Sequence, residues 1–256
     1  MRGRWRSPGK AGAVLYAVLA VIVGSVLAFF SRLQLERQRG RRRMVEELPA
    51  GALIVISNHT SYADGLLLAL ACRRMGRSLR LLATSGVFRA PVIGTLARRL
   101  GFISVERGSE RASTAVDRAA EALAAGEAVG IFPEGRLTRH PERWPERAKT
   151  GTVRLALRTG APIVPVAMEG AHRVVGRSRI VSTIVANVFR RPVVRVKVGE
   201  PIDVCGLAGL PAGSDASPEQ VRELADAVMT RLVALVAEMR GEAPPDPAGV
   251  ERVDGS

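Results

Sequence analysis

Apolar and polar positions alternate along the chain with two different periods. Short, β-branched apolar runs at 52–56, 79–84, 102–105, 128–132, 162–168 and 193–198 predict strands. The run at 193–198 alternates apolar with basic residues and predicts a half-exposed strand. Pro162 and Pro165 fall in a predicted strand, which suggests one proline at its start and one at a bulge. Stretches of helical period lie between the runs, at 65–76, 113–125 and 152–159, with Gly76, Gly126 and Gly160 as stops. Residues 87–100 read as irregular to helical, interrupted by Pro91. Ser217, Pro218 and Gln220 form a capped helix start, followed by an apolar stripe from Val221 to Met239. Strands alternating with helices from about residue 50 to 200 predict a single α/β domain with a mixed, largely parallel sheet flanked by helices.

The N-terminus departs from this pattern. Residues 11–30 carry no charge, and as a helix they would be about 30 Å long, enough to cross a hydrocarbon core. Arginines crowd both flanks, most densely from Arg39 to Arg43. An uncleaved membrane anchor fits better than a cleaved leader, because a basic cluster directly after the run opposes export. The expected organisation is an anchor with basic flanks at 1–44, a catalytic domain at 45–240 and a disordered tail at 241–256. The slightly richer cluster after the helix puts the domain at the cell membrane, on its cytoplasmic face.

Charge narrows the partners. Lys and Arg number 38 against 24 Asp and Glu, for a formal net charge of +14, which attracts polyanions and anionic membranes. Aromatics make up only 4%, which argues against base stacking and nucleic acid. Two distant cysteines, Cys72 and Cys205, offer neither a disulfide framework nor a zinc knuckle, and no metal site is expected.

Three loops that leave predicted strands hold the chemistry. After the strand ending at Ile56 come Asn58 and His59, with Asp64 five positions beyond the histidine. The carboxylate can fold back onto one imidazole nitrogen and make the other a general base for an alcohol. The same residues would also serve as a plain helix-capping loop, with Asp64 as the N-cap. Arg107 follows the strand at 102–105, as a phosphate ligand or simply a solvated arginine. Phe132, Pro133, Glu134, Gly135 and Arg136 make a tight turn that projects Glu134 and Arg136, or only connects two elements. His140 and His172 read as surface or structural residues.

Together these motifs resemble the 1-acylglycerol-3-phosphate acyltransferase (glycerolipid acyltransferase, PlsC-like) family over about residues 45–200. The family pattern N-H-x4-D matches Asn58, His59 and Asp64, and G-x-I-x3-R matches Gly101, Ile103 and Arg107. F-P-E-G matches Phe132 to Gly135, followed by Arg136; a V-P-V-like strand matches Ile163 to Ala167; a lysine before a glycine matches Lys149 and Gly151. The resemblance implies a glycerol-3-phosphate acyltransferase-like fold. It implies acyl transfer from acyl-CoA or acyl carrier protein to a lysophospholipid hydroxyl, with no cofactor. His59 would be the base and Asp64 its orienting partner. Asn58, Arg107, Glu134, Gly135, Arg136 and Lys149 would line the substrate site. The favoured acceptor is 1-acyl-sn-glycerol-3-phosphate, giving phosphatidic acid. Many members that use it carry Ser or Thr in place of Arg136, so a lyso-ornithine lipid or glycolipid acceptor stays open. A membrane-tethered basic binding protein without activity is the reading from another class.

Overall fold

A computed structural model describes residues 7–36, 47–106, 112–175, 186–187 and 189–245. The elements run α1 (Gly9–Phe30), β1 (Arg32–Leu35), β2 (Leu53–Ser57), α2 (Asp64–Arg74), β3 (Leu79–Thr84), α3 (Ser85–Arg89), α4 (Pro91–Arg99) and β4 (Ile103–Val105). They continue with α5 (Ala112–Ala124), β5 (Ala128–Ile131), α6 (Gly151–Thr159), β6 (Ile163–Glu169), α7 (Ala171–Val174) and β7 (Val193–Val198). Two further helices follow, here α8 (Val204–Ala208) and α9 (Pro218–Arg240).

Seven strands form one sheet in the order β1-β7-β6-β2-β5-β3-β4. Five of them, β6, β2, β5, β3 and β4, are parallel. β7 pairs antiparallel with β6 and parallel with β1, so the last two strands run against the rest. This is the mixed, largely parallel sheet that the alternating pattern predicts. Its central strands are apolar on both faces because helices cover both. In β2, Ile54 and Ile56 join a core shared with α5, α6, α8 and α9. Leu53 and Val55 point to the other face, where α2 and α1 pack.

Each predicted strand has an observed counterpart, and the irregularity expected at Pro165 lies on its β7 side, where the pairing slips by one residue between Val166↔Val198 and Ile163↔Ile202. β6 pairs with β2 without interruption through Ile56↔Pro165. Pro165 faces β7 just beyond that strand's end: its carbonyl accepts the Gly199 N–H at 2.8 Å, and the β6–β7 ladder starts at Val166↔Val198. Proline has no N–H to return that bond, so the ladder stops one residue short of it.

The sheet also starts earlier than residue 45. β1 lies inside the segment assigned to the anchor, and its four residues alternate exposed with half-buried, as an edge strand does. The Arg39–Arg43 cluster and residues 246–256 of the tail lie outside the described residues.

An 18-residue stretch of α1 has a mean hydropathy of 2.6, and the helix is long and apolar enough to cross a membrane by length and composition. It is also part of the fold. The Tyr16 hydroxyl accepts the Leu79 N–H at 3.2 Å, and Arg80 lies 5.8 Å from the Tyr16 ring centroid. Gly24 approaches Leu70, and Arg191 Nη2 donates to the Ala28 carbonyl at 2.6 Å. The helix is therefore held near both ends. Its other side exposes Val14, Val18, Val21, Ile22, Val26 and Phe29.

At the C-terminus, Ser217 and Gln220 exchange both bonds of a capping box, worth about 1 kcal/mol. The predicted stripe on α9 is buried throughout, with Met229 added.

Candidate active site

β2, β5 and β6 are adjacent and parallel, so the loops that leave them meet at one edge of the sheet. β2 ends at Ser57, and Asn58 fixes the departure. Its Nδ2 donates to the Met168 carbonyl at 2.9 Å, and its Oδ1 accepts the Met168 N–H at 2.8 Å. Asn58 thereby joins the end of β2 to β6. At 1% exposure, with both ends of its amide engaged, it stands as a positioning residue.

The chain then turns so that Asp64 faces back. Asp64 is fully buried, and its Oδ2 lies 3.0 Å from His59 Nδ1. The same oxygen accepts the N–H groups of Thr60 at 2.5 Å and Ser61 at 2.7 Å. An oxygen that accepts two backbone donors makes Nδ1 the third donor, which leaves the lone pair on Nε2. Asp64 is the first residue of α2; Ala63 holds the N-cap position and makes no side-chain cap. Asp64 thus aims its carboxylate into the preceding turn, so the capping alternative does not describe it. A carboxylate in the first helical turn also meets the positive end of the helix dipole.

The imidazole is held from other sides. The Phe132 ring stacks on it with centroids 4.1 Å apart and planes 19° from parallel. The His59 N–H donates to Glu134 Oε1 at 3.1 Å, and the His59 carbonyl accepts the Thr138 N–H at 2.8 Å. Glu134 Oε2 accepts the Glu146 N–H at 3.0 Å. Both oxygens of this carboxyl, 3% exposed, therefore join the histidine loop to loop 136–149. Burial raises the Glu134 pKa to about 8; the two backbone bonds oppose the shift, and nearby Glu146 and Asp64 add to it. Glu134 is a staple between loops, and a carboxyl spent on backbone donors does not hold a phosphate.

The cationic residues differ in how free they are. Arg136 pairs with Glu146 at 2.8 Å through Nη2, while its buried Nη1 has no hydrogen-bond partner among the described residues. Gly135 adopts φ +70°, and Lys149 packs over it: a Cβ there would lie 3.1 Å from Lys149 Cε. A side chain at position 135 would thus push the lysine away and strain the turn. Arg107 lies outside the described residues. The structure brings together Asn58, His59, Asp64, Glu134, Gly135, Arg136 and Lys149. His140 Nδ1 accepts the Glu142 N–H at 3.2 Å, a local loop bond.

Several supports escape sequence reading. Ser61 Oγ donates to the Val175 carbonyl at 2.6 Å and ties the histidine loop to α7. Arg240, the last residue of α9, lies 4.6 Å from the Trp144 ring centroid and pairs with Glu169 at 2.8 Å. It also donates to the carbonyls of Glu142 and Arg143. Phe132 had an indirect signal, as an aromatic at the end of a strand. Nothing in the sequence places that strand beside β2.

Residues 40–169 match the family described as Acyltransferase. The chain belongs to the acyltransferase family. Among relatives, it is 29% identical over 133 residues to the chloroplastic 1-acyl-sn-glycerol-3-phosphate acyltransferase BAT2 of Brassica napus, covering 51% of this chain and 37% of that protein. It is 34% identical over 131 residues to the lyso-ornithine lipid O-acyltransferase of Pseudomonas aeruginosa, covering 50% and 46%. These matches span less than half the length of the curated relatives. The crystal structure of the 1-acyl-sn-glycerophosphate acyltransferase PlsC from Thermotoga maritima shares the fold, with a TM-score of 0.61 at 21% identity, over 94% of this chain and 86% of that one.

Proposed function

We propose that this acyltransferase moves a fatty acyl group from an acyl thioester to the free hydroxyl of a lysophospholipid, with 1-acyl-sn-glycerol-3-phosphate as acceptor and phosphatidic acid as product. The observation that carries the reading is the 3.0 Å contact between His59 Nδ1 and a fully buried Asp64, at the strand ends. His59 Nε2 takes the hydroxyl proton, and the acceptor oxygen attacks the thioester carbonyl. The tetrahedral intermediate collapses, the carbon–sulfur bond breaks, and the imidazolium returns its proton to the leaving thiolate. Asp64 steadies the imidazolium throughout. Lys149 and Arg136 Nη1, with Arg107, hold the acceptor phosphate. The donor is acyl-CoA or acyl carrier protein, as a substrate, and the steps require no further group.

The exposed apolar side of α1 supports attachment to the membrane. Its ties to the domain near both ends favour a helix embedded along one leaflet, with the catalytic domain on the cytoplasmic side.

A second acceptor has its own support. Glu146 already occupies one side of Arg136, so an acceptor with an ammonium as well as an anion, such as a lyso-ornithine lipid, suits the pair. Purified protein given one labelled acyl-CoA and a panel of lyso-lipids decides between the two. The expected result is acylated lysophosphatidic acid, with His59→Ala slower by roughly 100- to 10,000-fold at unchanged folding. Near wild-type turnover in that variant would overturn the assignment.

A further inference from the structure

Loop 136–149 and α7 bring exposed arginines to the catalytic edge. Loop 136–149 starts beside His59, through the Thr138 bond, and is then bound down onto α9. Arg147 reaches Asp226 at 3.4 Å, and Arg240 packs on Trp144 and grips the carbonyls of Glu142 and Arg143. α9 covers the face of the sheet opposite α1 and α2. The loop exposes Arg139 and Arg143, and neither guanidinium has a partner among the described residues. Arg143 is fixed at φ +61°, an unusual conformation for a side-chain-bearing residue, by its N–H to His140 and its carbonyl to Arg240. Arg173, exposed on α7, stands four residues beyond Glu169, which the same Arg240 holds. His172 lies among these charges. Burial lowers its pKa to about 4, and Arg143, Arg173 and Arg240 push in the same direction against Glu169.

We propose that Arg139 and Arg143, with Arg173 beside them, bind the phosphates of a coenzyme A thioester. The inference rests on the acyl-transfer reading of His59 and deepens it by assigning the donor's class and side of approach. A coenzyme A thioester joins a diphosphate and a ribose phosphate to a long neutral arm that ends at the reacting carbonyl. Guanidinium forks on a rigid loop match the phosphates, and the loop's start at His59 matches the arm. A lipid headgroup is the poorer occupant, because the apolar side of α1 lies across the sheet from this loop.

The test uses R139Q/R143Q, which keeps the backbone bond from residue 139 to Glu146 Oε1. Calorimetry with free coenzyme A should show affinity weakened about tenfold. The KM for palmitoyl-CoA should rise by a similar factor, while the KM for palmitoyl-pantetheine, which lacks the nucleotide, stays unchanged. Binding to phosphatidylglycerol vesicles should also stay unchanged. In the wild type, salt should raise the KM for palmitoyl-CoA and leave that for palmitoyl-pantetheine alone, a comparison that needs no variant. An unchanged affinity for coenzyme A, an equal rise in KM for both donors, or loss of vesicle binding instead would each overturn the proposal. Saturation by acyl carrier protein with no response to coenzyme A would do so as well. Coenzyme A binding that the double variant weakens, without any acyl transfer, would sink the reading of His59 and leave this site standing.

Discussion

Glu134 binds a proton more tightly in the fold than out of it. Its carboxyl is buried and its pKa rises from 4.5 to about 8, with burial as the main cause. Between those values the folded protein keeps a proton that the unfolded chain has released. The group's contribution to stability is therefore full at acid pH and declines as pH rises through that window. Melting temperatures of wild type and Glu134→Gln, measured from pH 5 to pH 9, should show the wild type losing ground steadily to the variant. A pH-independent difference would contradict the assignment. The residues proposed to carry the chemistry were legible because their types and spacing are particular: His59, Asp64 and the Phe132–Arg136 turn stand out in the sequence alone. The tasks of Asn58 and Glu134 were not legible. Their partners are backbone groups 110 residues away, in Met168, and 75 and 12 residues away, in His59 and Glu146.

At the scale of elements, loop 136–149 behaves as a braced part of the site. Arg240 contributes a stacked ring, an ion pair with Glu169 and two carbonyl contacts from a side chain only 9% exposed. Arg240→Ala should cost about 2–4 kcal/mol in urea denaturation, because Glu169 would be left without its partner and Trp144 without its cover. A cost below about 0.5 kcal/mol would mean that the loop is held elsewhere. Six strands and the principal helices after α1 followed from periodicity, since each has an apolar face of clear period. β1 did not, because a short edge strand that alternates polar with apolar residues next to arginines looks like a basic flank. α7 and α8, with four and five residues, are too short to show a helical period. Sheet order was also hidden: β2 lies between β5 and β6, neither of them its neighbour in sequence.

For the whole molecule, α1 has two duties that can be separated by substitution. Its inner side is anchored through Tyr16, and its outer side is exposed at Val14 and Val21. Tyr16→Phe removes the acceptor of the buried Leu79 N–H and should cost about 1–2 kcal/mol of stability, with no effect on vesicle binding. Val14→Glu with Val21→Glu should do the reverse, leaving the melting temperature in place while partition into vesicles falls roughly tenfold or more. Co-sedimentation and thermal melts on the same preparations check both. If the two variants lose stability and binding together, the helix does not divide in this way.

β7 and β1 run against the other five strands, so β1 starts at the edge where His59 stands, and α1 ends two residues before it. Oil and water therefore meet at one rim of the sheet. On the proposed reaction, the diacyl product would form at the rim where the greasy helix ends, and the spent thiol carrier would leave over the arginines of loop 136–149. The two products would then leave by separate routes.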